Sequence, residues 1–184
     1  MTNESYIRAF FAIEVPTSVA QQIALLTRKI NTIPIHWNPL ERLHITLRFF
    51  EHVHLTELSL LCEKMKNAIS VIHPFSIQLK SISPFPSNHS HLIALEPLHE
   101  SQALTEIVTI IRQSCNILQF PDDKKPFRCH ITLGKILKTN QQFETIHTES
   151  LNPIHVDHIT LFHSHIQNNK RVYTILERIF LDIN

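Results

Sequence analysis

Glycine is almost missing from this chain: Gly134 is the only one among 184 residues. A P-loop and a dinucleotide-binding turn each need several glycines, so the sequence argues against both. Cysteine is scarce as well. Cys62, Cys115 and Cys129 lie far apart and none belongs to a Cys-x-x-Cys pair. That argues against a zinc knuckle or a disulfide framework and for reduced thiols. Charge of one sign is not in excess, since 17 basic and 16 acidic side chains leave a formal +1. A nucleic acid would therefore be held in a local pocket or groove, not on a broad basic face. Long apolar runs are absent too. The segment Ile7–Val15 is interrupted by Arg8 and Glu14 and is too short to cross a bilayer, and the N-terminus has no signal-peptide pattern. The expectation is a soluble cytoplasmic protein with no membrane partner. Nothing in the chain demands an oligomer, so a monomer is expected.

Histidine, in contrast, is abundant, with 14 copies, and 43% of the residues are hydrophobic. That supports one domain over residues 1–184, built as two small lobes that share a cleft. Apolar runs and breakers predict strands at 6–15, 43–50, 75–83, 91–95, 128–136, 156–164 and 171–182. They predict helices from residue 17 to about 31, and over 56–72, 101–118 and 141–146, with a Gln-Asn-Asn-Lys turn before the last strand. The order of elements roughly repeats between the halves. This pattern predicts an α+β fold with two pseudo-symmetric lobes, each holding an antiparallel sheet and flanking helices.

The chemistry concentrates in a repeated tetrapeptide, His-Ile-Thr-Leu, at His44–Leu47 and His130–Leu133. On a strand, alternate side chains share a face. His44 and Thr46 then point one way while Ile45 and Leu47 point into a core, and His130, Thr132, Ile131 and Leu133 divide in the same manner. If the two strands face one cleft, two imidazoles and two hydroxyls converge. One neutral imidazole can take a proton from an attacking water and a protonated one can supply the leaving oxygen. Threonine hydroxyls can donate to non-bridging phosphate oxygens. No metal is needed. Each copy also follows a basic residue two positions earlier, Arg42 and Arg128. By parity with His44, Arg48 is a candidate second cation.

These residues resemble the two-histidine phosphoesterase superfamily, defined by two His-x-Thr/Ser-x motifs. Within it, the chain is similar to the RNA 2′,3′-cyclic phosphodiesterases, also named 2′-5′ RNA ligases. Arg8–Ile13, the stretch from Trp37 through Phe49, Phe85-Pro86, Phe120–Leu133, and Ser164 with Tyr173-Thr174 carry the resemblance. It implies a bilobal fold with the site between the lobes. It also implies hydrolysis of RNA ends or nucleotides bearing a 2′,3′-cyclic phosphate, with His44 as proton donor, His130 as proton acceptor and no cofactor. ATP-independent 2′-5′ ligation is implied as well. Thr46 and Thr132 would hold the phosphate. Lys135 stands where the family has arginine, five residues after the second histidine. Phe85, Trp37 and Tyr173 are candidates for stacking on a base.

Two rival readings remain at this stage. One is a module of the same fold that binds a nucleotide or RNA end with little turnover. The other is a histidine metal site, since His52/His54, His89/His91, His155/His158 and His163/His165 have ligand-like spacing. No cysteine or acidic partner accompanies these pairs in a repeated pattern, and the expectation is that the protein holds no metal.

Overall fold

Strand β1 (Tyr6–Glu14) owes its position to its composition: Ala9 through Ile13 are apolar on both faces, and all five are buried. A strand apolar on both sides belongs in the middle of a covered sheet. In the computed structural model, which describes residues 5–121, 126–137, 143–148 and 151–182, β1 does lie inside a sheet. Pro16 then stops it and precedes helix α1 (Thr17–Thr27). Next come β2 (Ile35–Trp37), a 3-10 turn at Leu40–Arg42, β3 (His44–His54) and α2 (Leu55–Ile69). They are followed by β4 (Phe75–Ile77), β5 (Leu79–Phe85), β6 (Leu92–Pro97) and α3 (Gln102–Ile117). The chain ends with β7 (Ile131–Ile136), β8 (Ile146–His147), β9 (Ile154–Val156), β10 (His158–Gln167) and β11 (Lys170–Phe180).

The main strands form one mixed-length antiparallel array in the order β11-β10-β1-β3-β7-β6-β5-β8, with β2 paired to β7; β4 and β9 pair separately. Where the sequence led to the expectation of a sheet in each of two lobes, one sheet runs through in two halves. The first half is β11-β10-β1-β3 and the second is β7-β6-β5-β8. They join at a single residue pair, Ile45 with Ile131. Helix α2 packs against β3, β11 and α3, and α3 also packs against β3. Buried Leu58, Leu61, Met65, Leu104, Ile107 and Ile111 form the seam. Each such side chain contributes about 1.5–3 kcal/mol when removed from water.

Local signals explain most boundaries. α2 starts one residue earlier than expected because His54 caps it: its ring accepts from the Thr56 N–H, and Glu57 accepts the His54 N–H. This is a capping box in which histidine does the work usually done by serine or threonine. The β10–β11 hairpin turns on Asn168 and Asn169, with φ of 49° and 58°. Two adjacent positive φ values are the signature of a type I′ turn, and asparagine tolerates them better than most non-glycine residues. The segment at 35–37, to which the sequence assigned no helix or strand, is strand β2. The expected helix at 141–146 lies partly outside the described residues; its last residue belongs to β8, which pairs with β5.

Gly134 has a steric reason. A Cβ there would sit 2.6 Å from the His36 carbonyl oxygen and 3.1 Å from Trp37 Cα. The backbone of β2 crosses β7 too closely for any side chain, so the chain's one glycine is spent on this contact.

Candidate active site

The pairing of Ile45 with Ile131 builds the site. These are the second residues of the two tetrapeptides, and they meet across an antiparallel step. Antiparallel register then sets His44 alongside Thr132, and Thr46 alongside His130. Ile45 and Ile131 are buried, while all four polar side chains remain on the opposite face. That face is the floor of a cavity of about 390 Å³ lined by His44, Thr46, His130 and Thr132 together with Phe10, Asn38, Arg42, Phe49, Arg171 and Tyr173. The structure thus brings both predicted histidines and both predicted threonines into one cleft.

Each imidazole is held in the same way. His44 Nδ1–H donates to the Arg42 carbonyl oxygen at 2.7 Å, and His130 Nδ1–H donates to the Arg128 carbonyl oxygen at 2.8 Å. A carbonyl can only accept, so the proton of each neutral ring sits on Nδ1 and Nε2 is the basic nitrogen. His44 is walled by Phe10, at 4.8 Å between centroids, and by Tyr173 edge-on at 5.4 Å. His130 stacks on Phe85 at 4.0 Å. Burial pushes the pKa of both below the ordinary value of 6.5, against the carbonyl at Nδ1, which raises it. The nearby His130 lowers His44 further.

Three sequence-derived candidates are placed differently. β3 carries a bulge at Leu47, because Phe11 pairs with Arg48 while Ala12 pairs with Thr46. One extra residue inverts the alternation. Arg48 therefore turns away from the cleft floor, is 7% exposed, and donates to the Pro121 carbonyl oxygen, while Phe49 takes the cleft face. β7 has the same bulge at Leu133, between the pairs Ile93–Gly134 and Ala94–Thr132. Beyond it, Lys135 is exposed between buried Gly134 and Ile136, in register with His36 and Leu92, and is not among the residues that line the cleft. Phe85, 8% exposed, is no open platform. One neighbour is the His130 ring and another is the Arg128 guanidinium, 4.6 Å from its centroid. It supports His130 from behind. Tyr173 does reach the cleft, and Trp37 packs against the core.

The cations of the cleft are instead Arg42 and Arg171. Arg171 Nη1 donates to Ser164 Oγ at 2.9 Å, and Arg42 Nη1 reaches the Arg171 carbonyl oxygen at 3.5 Å. Arg171 is two residues from Tyr173 on β11, so strand parity from Tyr173 was the signal that could have found it. Asn38 was also missed. Its backbone N–H donates to the Leu133 carbonyl (2.7 Å) and its Nδ2 to the Thr132 carbonyl (2.9 Å), which ties down the second bulge.

The tetrapeptide occurs a third time, which sequence reading overlooked: His158-Ile159-Thr160-Leu161 on β10. This copy does not reach the cleft. Thr160 Oγ1 donates to Glu14 Oε1 at 2.6 Å, and Thr160 is fully buried. His158 places Nε2 3.2 Å from Glu14 Oε1 and Nδ1 2.5 Å from Asp157 Oδ1. Arg178 adds two bonds to Glu14, at 2.9 and 3.2 Å. Arg178 first, then Thr160 and His158, hold the Glu14 carboxyl down to about 2, against the opposing effect of burial. The ring pairs weighed as metal ligands do not assemble further. Among the described residues no group of three or more His, Cys, Asp or Glu side chains could hold a metal ion. No helix among them is long and apolar enough to cross a membrane.

Comparison with known proteins matches residues 13–93 to the family of LigT like phosphoesterases. An RNA 2′,3′-cyclic phosphodiesterase of Methanocaldococcus jannaschii is 25% identical over 181 residues, covering 93% of this chain and 99% of that protein. One of Geobacillus stearothermophilus is 26% identical over 172 residues, and the match covers 90% of this chain but only 55% of that protein, so the chain spans about half its length. Among solved structures, E. coli LigT complexed with 3′-AMP superposes with a TM-score of 0.83 at 21% identity, over 96% of this chain and 98% of that one. A protein of Thermus thermophilus superposes with 0.81 at 21% identity, over 95% and 97%. These structural matches establish the fold over nearly the whole chain.

Proposed function

We propose that the chain is a LigT-like phosphoesterase, as the family match over residues 13–93 and the shared fold support, and that it hydrolyses terminal RNA 2′,3′-cyclic phosphates to 2′-phosphates by metal-independent acid–base catalysis. The names of the two curated relatives support the reaction. One observation carries the mechanism: two imidazoles, each anchored through Nδ1 to the backbone carbonyl two residues before it, share a cavity with two threonine hydroxyls and two arginines.

In this reading the cyclic phosphate lies between the two rings. Water attacks phosphorus and gives its proton to His130 Nε2. The P–O3′ bond breaks, and His44 Nε2 supplies the proton that O3′ needs. The product is a 2′-phosphomonoester with a free 3′-hydroxyl, and the two histidines have exchanged protonation states. Thr46 and Thr132 donate to the non-bridging oxygens, and Arg42 and Arg171 balance the charge that develops there. Burial disfavours the protonated His44 that this step requires, and the bound phosphate anion opposes that effect. Near-equivalence of the two histidines also lets the roles reverse. A 5′-hydroxyl taking the place of water would give 2′-5′ ligation without ATP. A cytoplasmic setting agrees with three unpaired cysteines whose thiols are pushed up to about 11 or 12 by burial and so stay protonated.

The test is hydrolysis of a nucleoside 2′,3′-cyclic phosphate in EDTA. Turnover that survives the chelator and is lost in both His44→Ala and His130→Ala is the expected result. Wild-type rates in both variants would overturn the reading. Nucleotide binding without product would select a binding module of the same fold.

A further inference from the structure

The cleft opens on two sides, and the charges on these sides differ. Beyond His44 lies a cavity of about 500 Å³ whose lining includes the carboxylates of Glu14 and Glu41. Beyond His130 lies a groove of about 230 Å³ between the first half of β3 and helix α3. It is continuous with the cleft, because Thr46, Phe49 and His130 line both. Among the described residues its lining holds three arginines, Arg48, Arg112 and Arg128, and no carboxylate. Phe49 and Phe127 are interleaved with them.

Arg128 and Arg48 already have partners: Arg128 pairs with Glu96 and donates to the Pro86 carbonyl, and Arg48 donates to the Pro121 carbonyl. Both are fixed in place along the groove wall. Arg112 differs. It stands exposed on α3, one helical turn from Val108 and beside Ile111, and makes no hydrogen bond or ion pair with the described residues. Guanidinium groups interleaved with aromatic rings are what a single-stranded RNA backbone and its bases require. On the His44 side the lining carries one guanidinium, Arg42, beside two carboxylates, Glu41 and the Arg178-paired Glu14, so it offers a polyanion less positive charge than the groove does.

We propose that this groove between β3 and α3 binds the RNA strand immediately 5′ of the terminal nucleotide, with Arg112 contacting a backbone phosphate. The proposal rests on the functional reading above and deepens it: the preferred substrate is an RNA end, not a free nucleoside cyclic phosphate.

Two measurements test it on the intact protein. The first compares kcat/KM for cytidine 2′,3′-cyclic phosphate with that for a short oligoribonucleotide ending in the same group. Arg112→Glu is expected to lower the oligonucleotide value about tenfold or more, the scale of one lost charged contact, and to leave the nucleoside value unchanged. Arg112→Lys should restore most of the loss. The salt dependence of the oligonucleotide value should also shallow by roughly 0.7 in log–log slope, one single-strand phosphate contact. The second measurement is binding of the same oligonucleotide, fluorescently labelled and ending in a 2′-phosphate, by anisotropy. Equal effects of Arg112→Glu on both substrates, no effect on either, or a wild-type enzyme indifferent to the added nucleotides would each overturn the groove. Oligonucleotide binding that Arg112→Glu weakens, in a protein that turns over neither substrate, would uphold the groove and reject the hydrolytic reading.

Discussion

The same four residues, His-Ile-Thr-Leu, sit in two unlike places. At His44–Leu47 and His130–Leu133 the histidine donates one nitrogen to a backbone carbonyl and keeps the other for the cleft. At His158–Leu161 both ring nitrogens face carboxylates and the threonine hydroxyl is bound to Glu14. The difference lies in the neighbouring strand. β3 and β7 meet at one residue pair and leave their polar face open. β10 is paired along its length with β11 and, from Thr160 to His163, with β1 as well, and these strands bring Arg178 and Glu14 against it. A histidine becomes a catalytic candidate only where the structure leaves one nitrogen unclaimed.

The sharpest way to break this contrast is to remove each histidine in turn. His44→Ala and His130→Ala are each expected to lower kcat on a nucleoside 2′,3′-cyclic phosphate by about 10²–10⁴-fold, whereas His158→Ala should stay within severalfold of wild type. A large loss in His158→Ala with an unchanged melting temperature would erase the distinction.

Threonines give the next largest difference. Thr46→Val or Thr132→Val removes a donor to the phosphate and is expected to lower kcat about 10²-fold, on the scale of one lost oxyanion donor, with little change in urea unfolding. Thr160→Val should do the reverse: near-normal kcat and a stability loss of about 1–3 kcal/mol from the lost hydrogen bond to the charged Glu14 carboxylate, whose Oε1 keeps Arg178 and His158. Matching profiles in the two assays would sink the comparison.

Glu14 sharpens it through pH. Its folded pKa of about 2 lies below the ordinary 4.5. Its stabilisation is therefore fully present above pH 4.5 and is lost as pH falls through that value toward 2. Allowing for partial solvent screening, Glu14→Gln should cost about 1–2 kcal/mol at neutral pH, and the deficit should shrink in acid. A deficit constant from neutral pH down to about pH 3 would remove Arg178, Thr160 and His158 as its cause.

The smallest effect is on the pH profile. Burial lowers both cleft histidines, so neutral forms dominate at neutral pH in the free enzyme. The optimum of kcat/KM is expected on the acid side of 6.5, the ordinary histidine value, and that of kcat at a higher pH once bound phosphate favours the protonated ring. Coincident optima would argue against phosphate lying between the two imidazoles.

Much of this was legible in the chain itself. Alternation predicted that His44/Thr46 and His130/Thr132 share a face, and breakers placed most strands and helices within a few residues. Parity failed after the first motif, at Arg48, because a bulge at Leu47 inserts one residue; Lys135 was placed by its position after the second motif and not by parity, and β7 has a bulge of its own at Leu133. Nothing local announces such a bulge. In β7 the Asn38 hydrogen bonds and the close crossing of β2 secure it, both from far away in sequence. Strand β2 was missed because three residues are too few to show a period. Phe85 looked like an open ring because sequence cannot tell which aromatic has a histidine stacked on it.

Side-chain period thus determined what the sequence could determine alone: a histidine and a threonine on one face, an isoleucine and a leucine on the other, wherever the tetrapeptide forms a strand. That holds for all three copies, because pleating is a property of the strand itself. Which copies became the site was a matter for tertiary structure. The Ile45–Ile131 contact joins two of them across one cleft, and Glu14, Asp157 and Arg178 enclose the third, because hydrogen bonds and charge across strands depend on the neighbours that the fold supplies.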